Sequence, residues 1–184
     1  MNIKALPLTI TGFSIGLNIT LTTIAKTLGI PFIFLDTIGT ILSGALLGPF
    51  FGTLTGLITN IITSLVKNPI ELPFAIVNMT VGLVVGFIAK KFGFNLKIAV
   101  LTGVILAVLC PLVGTPISVS LFGGLTGGTL DILTGFFVKS GEKIFNATFF
   151  SRIISNLNDK IVSCIVVAMI LEKIPKSVYR KITF

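Results

Sequence analysis

The chain has 184 residues, of which 53% are apolar and only 11% are charged, and its mean hydropathy is +1.08. A soluble domain carries about 25% charged residues, so this chain has too few polar groups to cover a globular surface. Lipid must cover it instead, and we predict an integral membrane protein with a single domain over residues 1–184. The absence of histidine removes the commonest metal ligand and the commonest catalytic base at neutral pH.

Six apolar stretches are long enough to be transmembrane helices, which need about 20 residues, or fewer where neighbouring helices shelter them. Pro31, Pro49, Pro69 and Pro73 lie where these helices should begin or end. The predicted fold is therefore an all-α membrane protein, a compact bundle of six transmembrane helices. The predicted spans are residues 5–28, 32–47, 50–66, 72–91, 97–113 and 157–173.

The segment 114–156, before the last predicted helix, is apolar but broken by glycine, as in "PISVSLFGGLTGGTLDILTGFF". It could form a seventh span, a re-entrant pair of half-helices or a folded cap. Non-helical backbone at membrane depth survives only where protein or a cavity shelters it. A seventh span would place the basic C-terminal tail outside the cell, which disagrees with the charge pattern. We therefore predict six spans and expect this segment to be outer or re-entrant.

The charges sort between the two sides of the predicted bundle. Six spans place both termini on one side, whose net charge is then +7, whereas the other side carries +1. The positive-inside rule makes both termini cytoplasmic in a multi-pass protein of the cell membrane. This distribution also argues against the idea that the net charge of +8 serves to bind nucleic acid. The strongly basic side receives Lys4, Lys90, Lys91, Lys97, Lys173, Lys176, Arg180 and Lys181, with Glu172.

Three short polar stripes converge on the outer end of the predicted bundle. Asp36 and Thr40 share one face of the second span, and Glu71 and Asn78 share one face of the fourth. In the last span the stripe consists of Arg152, Asn156, Asp159 and Ser163. Any one of these residues alone could be interfacial, but carboxylates facing lipid are costly. Together the stripes predict an outward-facing polar pocket.

Glycines recur every four residues in several spans, a spacing that lets helices approach closely in lipid. In "GALLGPFFGTLTG" and at Gly82 and Gly86 we expect internal packing. Gly12 and Gly16 differ, because Ser14 and Asn18 widen the strip of small or polar residues. The first span could dock a partner membrane helix along that strip.

Sequence signals for catalysis are missing. The stretch "GFFVKSG" departs from a nucleotide-binding loop because Val138 stands where glycine must precede the lysine. A serine protease would need a histidine partner, and the chain has no histidine. Asp36 and Asp131 share no surrounding motif that would suggest a carboxylate pair. We therefore predict a binding protein that is not an enzyme and has neither a cofactor nor a metal site.

Three stretches stand out together with the six-span layout, namely "FLDTIGTILSGALLGPFFGTLTGLITN", "LPFAIVNMTVGLVVGFIAKK" and "SNLNDKIVSCIVVAMIL". In these features the sequence resembles the substrate-binding (S) components of energy-coupling factor (ECF) transporters, and the likeness covers nearly the whole chain. The resemblance implies capture of a vitamin, vitamin precursor, nucleobase-like compound or metal from outside. It also implies docking to a transmembrane coupling subunit and two ATPases, which alone use ATP. The family docks through alanines spaced by four on the first span, where this chain has Gly12 and Gly16.

Family members hold substrate in outer loops and the outer parts of later spans, which coincide with the polar stripes. A pocket without histidine or outer cysteine disfavours a nickel- or cobalt-type cargo and favours a ligand with N–H or O–H donors. Phenylalanines would supply stacking, at Phe32, Phe34, Phe74 or Phe122. Two alternatives stay open, a ligand-sensing membrane module and a stand-alone facilitator. The candidate substrate-binding residues are Asp36, Thr40, Glu71, Asn78, Asp131, Arg152, Asn156 and Asp159.

Overall fold

The computed structural model describes residues 5–29 and 33–174, and all regular structure in that part of the chain is helical. The predicted all-α class is therefore confirmed. Asn68 caps a single turn of 3-10 helix at Pro69–Glu71 by accepting a hydrogen bond from the Ile70 amide. The α-helices are α1 (Leu6–Thr27), α2 (Ile38–Leu47), α3 (Pro49–Val66), α4 (Ala75–Phe92), α5 (Leu96–Phe122), α6 (Leu130–Lys139) and α7 (Ile144–Lys173).

Five of these helices are long and apolar enough to cross a membrane, namely α1, α3, α4, α5 and α7. The helix α2 corresponds to the predicted span 32–47 but has only ten residues. At 1.5 Å per residue it is about 15 Å long, roughly half the thickness of a bilayer core. Nine of its ten residues are buried, and it contacts α1, α3, α4 and α7. The second predicted helix is thus a short interior helix, because residues 33–37 before it are not helical.

The segment 114–156 forms neither a seventh span nor a re-entrant pair. The helix α5 continues through Pro111 and Pro116 to Phe122, and α7 begins at Ile144. Between them lies the ten-residue helix α6, which packs on α7. The predicted spans 97–113 and 157–173 are therefore too short. Of the three alternatives, the structure has a folded cap flanked by extensions of two long helices.

Glycines set the spacing of α2, α3 and α4. A Cβ atom on Gly52 would lie 2.6 Å from the Gly82 carbonyl oxygen, and one on Gly86 would lie 2.3 Å from the Pro49 nitrogen. Gly48 joins α2 to α3 with a φ of 88°, which favours glycine. These glycines pack inside the bundle as expected, because the backbones of neighbouring helices lie directly against each other there.

The apolar core fills the space between α2, α4, α5 and α7. Ile41, Val81, Leu106 and Val167 are fully buried there. Cys110 and Cys164 belong to the same cluster as free, buried cysteines, as expected for small hydrophobic side chains. This core leaves one end of the bundle free to form a polar cavity.

A polar cavity at one end of the bundle

A cavity of about 510 Å³ lies at the end of the bundle where α1 and α3 finish and α4 begins. The wall also includes parts of the segment 33–37, residues 68–71, Cys110 of α5, the loop 126–129 and the face of α7 from Arg152 to Lys160. Its volume lies within the range of about 300–1,000 Å³ that is usual for small-molecule sites. The cavity is thus large enough for a compact organic ligand.

Five of the eight predicted site residues line this cavity. They come from four separate parts of the chain, and the fold brings them together at the cavity end. Lys26, at the end of α1, forms an ion pair of 3.2 Å with one of them, Glu71. The five lining residues are Asp36, Glu71, Asn78, Arg152 and Asn156.

The other three predicted residues, Thr40, Asp131 and Asp159, lie one step behind the cavity wall. Thr40 is fully buried and accepts a hydrogen bond of 2.9 Å from the Asn18 side chain. Asp131 accepts hydrogen bonds of 3.0 and 2.7 Å from the backbone amides of Thr126 and Gly127, which line the cavity. From these positions the three residues can hold the cavity wall in place, but they do not line the cavity where a ligand would bind. A helical spacing predicts the face of a residue, but it does not predict its depth.

The carboxylate of Asp159 fixes the segment that connects α1 to α2. Its Oδ1 atom accepts hydrogen bonds of 2.8 and 2.9 Å from the amides of Phe34 and Leu35. Leu35 has a φ of 53°, the left-handed conformation that L-residues adopt rarely. The two hydrogen bonds to a buried carboxylate offset the cost of this conformation.

Lys160 binds the same segment from the other side. Its ammonium donates to Asp159 at 2.6 Å, to Thr37 at 2.9 Å and to Asp36 at 3.1 Å. An ammonium group has three N–H donors, so these partners satisfy it completely. This cluster explains how an apolar stretch accepts Asp36, whose side chain is 45% exposed and paired with a buried cation.

A chain of amides orients Asn78. The backbone carbonyl of Glu71 can only accept, so Asn60 must present its Nδ2 atom to it, at 2.9 Å. The Oδ1 atom of Asn60 then accepts from Nδ2 of Asn78 at 2.8 Å. This relay leaves Oδ1 of Asn78 buried and without a partner among the described residues. Asn78 is a residue of the cavity wall, and its Oδ1 atom is an acceptor that no described residue uses.

Arg152 lies against an aromatic surface. Its guanidinium carbon is 5.0 Å from the centroid of the Phe74 ring, and Phe74 stacks on Phe122 with centroids 6.0 Å apart. The Nε atom of Arg152 is buried and has no hydrogen-bond partner in the described residues. Phe34 and Phe74 line the cavity, whereas Phe122 lies behind Phe74. The candidate Phe32 lies outside the described residues.

Several lining residues were not among the sequence candidates. Lys160 is one of them, although it follows Arg152 and Asn156 at steps of four and so shares their helical face. Thr59 and Thr63 share a face of α3 in the same way. No local spacing signals the loop 126–129, because Asp131 positions it through backbone hydrogen bonds.

Gly12 and Gly16 lie on an exposed face of α1, and a Cβ atom on either would meet nothing within 4 Å. Ser14 and Asn18, expected to widen this strip, are instead buried on the opposite side. Residues two apart on a helix are about 200° apart around its axis, which places the two pairs on different faces. The exposed strip therefore consists of the glycines without the two polar residues.

The family model for the ECF transporter substrate-specific component matches residues 7–171 of the chain. Neither the curated proteins nor the solved structures gave a significant match.

Proposed function

The chain belongs to the substrate-specific components of ECF transporters, and on that premise we propose that it captures a small, water-soluble organic compound in the cavity. The compound would be a vitamin, a vitamin precursor or a nucleoside- or nucleobase-like molecule. In this proposal the protein is a membrane-embedded binding subunit and carries out no chemical step. It needs no cofactor of its own.

Two buried polar atoms in the cavity wall carry the proposal. Oδ1 of Asn78 and Nε of Arg152 lack hydrogen-bond partners among the described residues. A buried polar group without a partner costs about 1–3 kcal/mol. A ligand that supplies a donor to Asn78 and an acceptor to Arg152 would recover that free energy, which is the basis of high-affinity capture.

We place the cavity on the outer side of the membrane. Lys90 and Lys91 end α4, Lys97 begins α5 and Lys173 ends α7, all at the end of the bundle opposite the cavity. The positive-inside rule favours the cytoplasm for that end. Lys4, Lys176, Arg180 and Lys181, counted in the predicted charge balance, lie outside the described residues.

Release into the cell would depend on partner subunits. The proposed partners are a transmembrane coupling subunit and two ATPases, which would consume the ATP. Gly12 and Gly16 lie on the exposed face of α1 with open space beside them, and small residues spaced by four allow close helix contact in lipid.

The first test is thermal unfolding of the purified full chain against a panel of vitamins, their precursors, nucleobases and nucleosides. A ligand present at 100 times its dissociation constant adds about 2.7 kcal/mol to the free energy of unfolding. One compound, or one group of related compounds, should raise the melting temperature. If no compound does, the capture proposal is wrong.

Uptake into proteoliposomes then separates the proposed role from its two alternatives. A capture subunit should give uptake of the bound compound only when the coupling subunit, the ATPases and ATP are present. Uptake by the chain alone would identify a facilitator. Binding without uptake in either setting would identify a sensory module.

A further inference from the structure

We infer that the captured compound carries a carboxylate that binds Arg152, together with an N–H or O–H donor that binds Asn78. This inference rests on the proposed capture function and specifies the chemistry of the same cavity. It follows from which charged and hydrogen-bonding groups of the cavity wall already have partners within the protein and which do not.

Arg152 differs from the other two cations of the cavity wall. Lys26 is paired with Glu71 at 3.2 Å, and Lys160 is paired with two carboxylates at 2.6 and 3.1 Å. No carboxylate of the described residues lies within 4.0 Å of the Arg152 guanidinium. Asp131 attracts Arg152 from farther away, but its oxygens accept from the amides of Thr126 and Gly127. Arg152 therefore lacks a direct anionic partner.

Phe74 prepares Arg152 for a planar anion. The centroid of the ring lies 5.0 Å from the guanidinium carbon, and the ring also stacks on Phe122. An aromatic ring attracts the cation while accepting no conventional hydrogen bond, so the N–H donors of Arg152 stay available. A guanidinium binds a carboxylate through two parallel N–H···O bonds. The geometry thus favours a carboxylate over a neutral carbonyl group.

The remaining charges of the wall favour a singly charged anion. Asp36 and Glu71 also line the cavity and offset the charges of Lys160 and Lys26, so only the single charge of Arg152 is left for a ligand to balance. A phosphate ester carries up to about two negative charges at neutral pH and would meet more repulsion than a carboxylate. The Asn78 acceptor adds the second requirement, because Oδ1 can bind only a donor.

The test uses the purified full chain and pairs of probes that differ only in one acidic group. The pairs are nicotinate with nicotinamide, pantothenate with panthenol, biotin with biotinamide, and orotate with uracil. Each member of the thermal-shift panel that has a carboxylate is likewise measured beside its amide or alcohol. Pyridoxal phosphate beside pyridoxal provides the phosphate arm. Dissociation constants come from titration calorimetry.

We expect the acid of at least one pair to bind about 10- to 100-fold more tightly than its neutral partner. Arg152→Gln should abolish this preference. Arg152→Lys keeps the positive charge but not the two parallel N–H donors of the guanidinium, so it should retain part of the preference. Lys139→Gln removes an exposed cation at the same end of the bundle, outside the cavity wall, and should leave the preference unchanged.

The inference is overturned if, in the pair that binds most tightly, the neutral member binds as tightly as its acid, or if the acid preference survives in Arg152→Gln. Stronger binding of the phosphate ester would overturn it too. In these cases the capture function stands, because a compound still binds. If no compound binds the unmodified chain, the capture function itself fails and the inference fails with it.

Discussion

The ammonium of Lys160 and the carboxylate of Asp159, neighbours in sequence, lie 2.6 Å apart with side chains only 4% and 0% exposed. Adjacent helical side chains point in directions about 100° apart, yet these two meet beneath the cavity. They do so because both bind the segment 33–37, Asp159 through two amides and Lys160 through Asp36 and Thr37. The pair therefore connects α7 to the chain that precedes α2.

Removing the cation of this pair should strongly destabilise the protein. Lys160→Met keeps a similar length but leaves the Asp159 carboxylate buried without a cation. Breaking a buried ion pair in this way costs about 3–5 kcal/mol. Thermal unfolding of the purified protein should show a clearly lowered melting temperature.

The double variant Asp159→Asn with Lys160→Met provides the control, since it removes both charges. It should unfold at a higher temperature than Lys160→Met alone, because no buried charge is left unpaired. A double variant that is less stable than the single one would show that burial of the carboxylate is not the cause of the loss.

Gly39→Ala should separate α1 from α2. A Cβ atom at Gly39 would lie 1.9 Å from the backbone oxygen of Ser14, and neither backbone can move without breaking the hydrogen bond of 2.6 Å from the Gly39 amide to Asn18. Overpacking of this kind costs about 3 kcal/mol. Gly12→Ala is the matched control, since a Cβ atom there meets nothing within 4 Å. Equal melting temperatures for the two variants would contradict the close contact.

Asn78→Ala should weaken binding of the captured compound by about 10- to 100-fold, since it removes the unpartnered acceptor from the cavity wall. Asn60→Ala should weaken binding as well, because Asn60 orients the Asn78 amide. Asn158→Ala is the control, because within the described part of the chain that exposed side chain bonds only to the Ile154 carbonyl of its own helix. Calorimetric titration would contradict the orientation argument if Asn60→Ala bound as tightly as the unmodified chain.

Gly12→Leu combined with Gly16→Leu should abolish uptake while leaving the dissociation constant for the ligand unchanged. Bulky side chains on the exposed face of α1 would keep a partner helix at a distance, but they lie away from the cavity wall. The double Gly→Ala variant, which keeps both residues small, should retain uptake in proteoliposomes. Uptake that survives in the leucine variant would place the docking surface elsewhere.

Hydropathy and helix-breaking residues located most helices, but their ends were wrong where polar residues or proline interrupt a helix. Arg152 and Asn156 lowered the apolar content of the first half of α7, so the predicted span began 13 residues too late. The fifth predicted span ends at residue 113, before the glycine-broken segment, although α5 continues through Gly114 and Pro116 to Phe122. Proline is tolerated inside membrane helices because neighbouring groups satisfy the backbone atoms that it leaves free.

The candidate site was partly predictable for a related reason. Helical spacing identified Arg152 and Asn156 correctly as residues of one face, and both line the cavity. The same spacing could not distinguish Asp36, which reaches the cavity, from Thr40, which bonds to Asn18 in the interior. Depth depends on how neighbouring helices pack, and that packing is set by glycines whose partners lie far along the chain.

The contact between Gly56 and Asn78 limits how far one side of the cavity can rearrange when a ligand binds. A Cβ atom on Gly56 would lie 2.5 Å from the Asn78 carbonyl oxygen, so α3 and α4 meet there without any side chain between them. Such a contact has no rotamers to rearrange, and the Asn60 amide fixes the Asn78 side chain as well. This side of the cavity is rigid before binding, and the loss of conformational entropy on binding is confined to the ligand and the opposite wall.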